Sequence, residues 1–122
     1  MAHPAVDKFG KIVVTKLRDN AIDFFDLASQ GHWRAPSLQN LQRELADQTP
    51  EQIDLIRRCV IQAIETGMHD FLFALVEAND FENVHVMVDG VNVADESDGL
   101  HGEQFTEEGW IAKFAKHPEG SP

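Results

Sequence analysis

The chain has 122 residues, 43% apolar and 25% charged, a composition that excludes wholesale disorder and leaves room for one hydrophobic core without a staple. A net charge of −11 excludes the cationic footprint that nucleic-acid binding needs. One cysteine, Cys59, excludes an intramolecular disulfide and a multi-thiolate zinc site.

The charge is unevenly placed. Residues 1–64 hold eight basic and eight acidic side chains; residues 65–122 hold thirteen acidic ones and only Lys113 and Lys116. Such a layout suits a basic protein partner or a hard divalent cation, while acidity by itself also serves solubility. At the N-terminus Asp7, Lys8 and Lys11 interrupt any apolar stretch of signal-peptide type. No run approaches the roughly 18 apolar residues of a membrane span. The expectation is a single domain over 1–122, cytoplasmic, without membrane association.

Residues 5–29 read as a helix. Val14, Leu17, Ala21, Phe24 and Ala28 recur at spacings of three and four, and Val13, Ile22 and Phe25 widen that face. Asp19, Asp23 and Asp26 fall largely opposite. The β-branched run Ile12-Val13-Val14-Thr15 conflicts locally with the helix. Gly31 suits a helix stop, and Ser37 suits the cap of a short helix over 38–47 carrying Leu38, Leu41 and Leu45.

Thr49-Pro50-Glu51-Gln52 is a helix start of capping-box form. Two apolar stripes follow, Ile53 to Ala74 and Ile61 to Val76, so this helix is expected to lie centrally. Gly67 is expected to divide it into 50–66 and 67–78. Cys59, among Ile56, Val60 and Ala63, is expected to be a buried, inert thiol.

Residues 83–94 read as a β-hairpin. Asp89-Gly90 suits a type I′ turn, which pairs Val88 with Val91 and Val86 with Val93. All five valines from Val84 to Val93 then share one face. A third strand near 102–105 is an open alternative. Thr106 suits the cap of a helix over 107–116, with Glu107 and Glu108 at its start, Lys113 and Lys116 at its end and Trp110 on its apolar face. A strand is the other reading of that segment. Trp33 and Trp110 are expected to be partly buried anchors. The fold class expected is α+β: N-terminal helices packed with a C-terminal hairpin and a short C-terminal helix.

Chemistry concentrates in Asp95-Glu96-Ser97-Asp98-Gly99-Leu100-His101-Gly102-Glu103. With Gly99 at position six of an EF-hand, position one would be Ala94 and position twelve Phe105, so the loop is not one. His101-Gly102-Glu103 has the H-x-E form of zinc deaminases but lacks the P-C-x-x-C element. No G-x-S-x-G and no H-E-x-x-H occurs. No cofactor, metal site or catalytic residue is expected.

The stretch Val88-Asp-Gly-Val-Asn-Val-Ala, with Ser97-Asp-Gly-Leu-His-Gly-Glu and Glu108-Gly-Trp-Ile-Ala-Lys-Phe, resembles a group of small, uncharacterised bacterial proteins. The resemblance covers the last third of the chain and the Met68–Leu75 segment. It implies a bacterial cytosolic origin and no activity. The leading expectation is a non-enzymatic interaction protein, of which an immunity protein steered to a basic toxin is one concrete form. Asp95, Glu96, Asp98, His101, Glu103 and Trp110 are its candidate binding residues. The rival readings are a small enzyme or ligand-binding domain using carboxylates and His101, and a homodimer paired through the hairpin edge.

Overall fold

In a computed structural model, residues 3–119 are described. Six α-helices and one two-stranded sheet follow in chain order: α1 (Pro4–Ile12), α2 (Asp19–Ser29), α3 (Gln39–Ala46), α4 (Pro50–Phe81), β1 (Met87–Val88), β2 (Val91–Asn92), α5 (Val93–Glu96) and α6 (Trp110–Phe114). The molecule is α+β in the sense expected, but helix dominates it.

α1 and α2 form one rod, joined by a π-helical stretch over Val13–Arg18 in which Asp19 N–H bonds Val14 O. The local cause is competition for carbonyls. The Thr15 hydroxyl donates to Lys11 O at 2.7 Å and the Asn20 amide to Lys16 O at 3.0 Å. The extra residue turns both Arg18 and Asp19 inward, where they are 0% and 3% exposed. The buried face is therefore Val14, Arg18, Ile22, Phe25 and Ala28. Leu17 and Phe24, expected on it, stay 49% and 39% exposed.

α3 starts after a 3₁₀ turn over Pro36–Leu38, with no side-chain cap from Ser37. α4 starts as expected: Thr49 Oγ accepts from Gln52 N–H at 3.1 Å, and Gln52 Oε1 accepts from Thr49 N–H at 2.8 Å. It then runs unbroken for 32 residues. Gly67 does not divide it, because a glycine weakens a helix without forbidding helical φ and ψ. Nor is α4 central. Its buried residues are Ile61, Glu65, Met68 and Leu72, one side only, and Cys59 is exposed rather than buried. By length and composition this helix is apolar enough to cross a membrane. Glu65, His69 and Asp70 hide that property from a search for uninterrupted apolar runs.

The hairpin has the expected turn and register: Val88 pairs with Val91, and Val93 N–H bonds Val86 O at 3.1 Å. Asp89 and Gly90 both take positive φ, as a type I′ turn requires. The strands are shorter than 83–94, because α5 begins at Val93 and the chain turns away after that residue's bond to Val86 O. Val86, Val88, Val91 and Val93 join the core, whereas Val84 is 52% exposed. The third strand near 102–105 is replaced by a 3₁₀ turn over Leu100–Gly102. Of the helix expected over 107–116, only Trp110–Phe114 is helical; Gly109 stands at its cap position and Glu107 and Glu108 lie outside it.

Two apolar clusters result. One gathers Ala5, Val6, Val14, Leu72, Val93, Leu100, Trp110 and Ile111; the other gathers Phe25, Ala28 and Leu45 with Trp33, Ile53, Ile56 and Val60 around them. Trp110, 1% exposed, is the keystone of the first. Its ring lies flat against Gly10 and meets Phe9 edge-on, with centroids 6.0 Å apart.

Candidate functional site

The 95–103 segment is positioned by a polar hub at the end of α4. The Asn92 side-chain Oδ1 caps α5, accepting from Ala94 N–H at 3.1 Å and Asp95 N–H at 3.2 Å. Its amide donates to Asn79 Oδ1 at 2.8 Å, and Asn79 Nδ2 donates to Asp95 Oδ1 at 3.0 Å. His85 spans Asn79 and Asn83 on the same hub. Asp95 is thereby fixed as a helix N-terminal carboxylate.

The rest of the loop closes on itself. The Ser97 hydroxyl donates to Glu103 Oε2 at 2.7 Å and accepts from Gly99 N–H at 3.0 Å. Leu100, fully buried, plugs the loop into the core. His101 wedges against α4, edge-on to His69 at 5.3 Å and to Phe73 at 5.1 Å, with its Nδ1 buried and unpartnered. Gln104, 1% exposed, donates to Glu65 O. These contacts make the segment a latch on α4.

The six candidate residues therefore do not converge. Glu96 and Asp98 are exposed and separate; Asp95 faces the asparagine hub; Glu103 is held by Ser97; His101 faces two rings; Trp110 is core. No hydrogen bond among the described residues joins His101 to a carboxylate. No group of three or more His, Cys, Asp or Glu among the described residues is placed to hold a metal ion. A cleft of about 490 Å³ is lined by Asp7, Glu103, Thr106, Glu107, Glu108, Trp110 and Lys113, and the Lys113–Asp7 ion pair at 3.0 Å lies at its wall.

A second polar assembly was not foreseen. Arg18 bonds Glu65 and Asp19, and donates to the carbonyls of His117 and Glu119. Asp19 accepts from the backbone N–H of Lys116 at 2.8 Å and of His117 at 3.4 Å. Asp23 receives His117 Nε2 at 2.7 Å and Lys116 Nζ at 3.1 Å, which hold its carboxyl below the usual aspartate range. Arg57 joins Asp26 to Glu119, at 2.8 and 2.7 Å. The Glu119 carboxyl is lowered by its own backbone N–H and by Arg57. Asp26 chiefly, with Glu119, pushes the Arg57 guanidinium further into its charged form. Residues 116–119 are thus a strap tied across α2 and α4. One sequence signal exists: Arg18 stands four residues from both Val14 and Ile22, on the apolar face. An arginine there is either buried and paired or misplaced.

The strap and its neighbours use up the cations of the acidic half. Lys113 pairs with Asp7, and Lys116 with Asp23. Glu77, Asp80, Glu82, Glu96, Asp98, Glu107 and Glu108 are exposed and in no ion pair among the described residues. Comparison with family models, with curated proteins and with solved structures finds no match to this chain.

Proposed function

We propose that the chain is a non-enzymatic interaction protein of the bacterial cytosol whose acidic C-terminal half meets a basic protein partner. The observation that carries this reading is the fate of Lys113 and Lys116. Both are committed to aspartates of the first 23 residues, so within 77–108 only Asp89, which meets Lys8, is in an ion pair with a lysine or arginine among the described residues. An immunity protein steered to a cationic toxin is the concrete form. The binding surface is the exposed part of the candidate set, Asp95, Glu96 and Asp98, joined by Glu107 and Glu108. Trp110 and His101 support that surface from below through packing.

The test compares wild type with the variant Glu96→Gln/Asp98→Asn/Glu107→Gln/Glu108→Gln, each immobilised and exposed to a bacterial lysate at low and moderate salt. A basic protein retained by wild type alone, binding in a fixed ratio when purified, is the expected result. Equal retention by both forms refutes the reading.

A further inference from the structure

We propose that α4 pairs with α4 of a second copy of this chain, antiparallel, about a two-fold axis at Ala63. One face of α4 is uncovered. Leu55 and Phe71 are each 58% exposed, and Cys59, Ala63 and Gly67 are exposed between them. Beside this ridge runs an open apolar groove of about 390 Å³ walled by Phe24, Leu41, Ile56, Val60 and Ile64.

The ridge is self-complementary. Its residues stand at intervals of four and read large, small, small, small, large about Ala63. Turned end for end, Leu55 meets Phe71 of the second copy, Cys59 meets Gly67, and Ala63 meets Ala63. Ridges of i±4 spacing pack into one another at about −50°. A two-fold contact requires such a self-matching patch.

Gly67 adds an independent argument. A Cβ built there meets nothing within 4 Å, so the monomer gives no reason for the poorest helix former after proline at mid-helix. A second backbone crossing at the ridge gives one.

Charge fixes the direction. Between Arg58 and Asp70 the helix carries one charged residue, Glu65, which is buried. A parallel pair would stack Asp70, Glu77 and Asp80 on themselves. The antiparallel pair instead holds the two Asp70 side chains about 20 Å apart along the helices, each at the level of the second copy's Ile56.

The area suffices. Phe24 and Phe71, at 39% and 58% exposed, leave roughly 200 Å² bare. Leu41 and Leu55 expose a similar amount, and the small residues and groove walls bring the face to roughly 600 Å² per copy. That stands at the top of the range of the largest apolar patch on a typical monomer and reaches the lower range of specific interfaces, about 1,200 Å² in all.

Sedimentation equilibrium of the whole chain tests this. The expected species is a dimer of two 13.7 kDa chains. Gly67→Arg is expected to give a monomer with unchanged helical circular dichroism, since the site is open in the single chain. Ala63→Cys in a Cys59→Ser background is expected to form a disulfide across the axis under mild oxidation. Wild-type Cys59 is expected not to, because its two copies lie about 12 Å apart along the helices, beyond disulfide reach. A wild-type monomer at 100 µM, a Gly67→Arg dimer, or an Ala63→Cys dimer that fails to cross-link overturns the proposal. A monomer that floats with phosphatidylcholine vesicles overturns it in favour of a lipid surface. None of these readouts depends on the acidic surface.

Discussion

Replacing Arg18 by methionine removes the cation on which the strap converges. Arg18 is fully buried, and its partners Glu65 and Asp19 are 2% and 3% exposed. Their carboxylates would remain in a low-dielectric interior without their guanidinium, and the carbonyls of His117 and Glu119 would lose a donor. Breaking one member of a buried ion pair costs about 3–5 kcal/mol. For a chain of this size that corresponds to a fall in Tm of roughly 10–20 °C. Urea denaturation followed by circular dichroism measures it. The second arm is Arg18→Met/Glu65→Leu. Removing both charges leaves a pair of apolar side chains, so this variant is expected to recover about half of the loss or more. Asp19, which also receives Lys116 and His117, keeps part of its partnership. A loss under about 1 kcal/mol for Arg18→Met would refute the claim that this arginine holds the strap.

Two further outcomes follow from the same packing. A Cβ at Gly10 would stand 2.2 Å from the Trp110 ring, which is fixed by core on its other sides, so Gly10→Ala is expected to cost about 1–3 kcal/mol and to shift Trp110 emission to the red; an unchanged spectrum and midpoint would contradict that contact. Asp23 and Glu119 have carboxyls lowered in the folded chain, so the unfolded chain takes up their protons first. Their contribution is present above the ordinary values of 3.8 and 4.5 and is lost as pH falls through the lower folded values. The slope of stability against pH between about 5 and 2 is expected to flatten in Asp23→Asn, measured by urea midpoints; an identical slope would show the strap's contact with Asp23 to be inert.

What could be read beforehand was local. Thr49 and Gln52 cap α4 through one another, and Asp89-Gly90 sets the valine register, because both signals act within four residues. What could not be read depended on distant partners. The inward turn of Arg18 needs the carbonyls of 117 and 119, a hundred residues away. The exposure of Cys59 and Phe71 follows from there being too few other elements to wrap a 32-residue helix, which no periodicity reports. The 95–103 loop looked chemical because it gathers carboxylates, a serine and a histidine. The structure spends Ser97 and Glu103 on each other and His101 on two rings, and that sorting is set by Leu100 and by α4.

The contact between Gly10 and Trp110 also sets an order of events in synthesis. Ala5, Val6 and Val14 complete their core only with Val93, Leu100, Trp110 and Ile111. At about 5–20 residues per second the apolar side of α1 waits roughly 5–20 s for them after leaving the ribosome. The nascent protein therefore passes through a stage in which its first helix is a hydrophobic ligand for whatever holds emerging chains. Closure by α6 is the step that releases it.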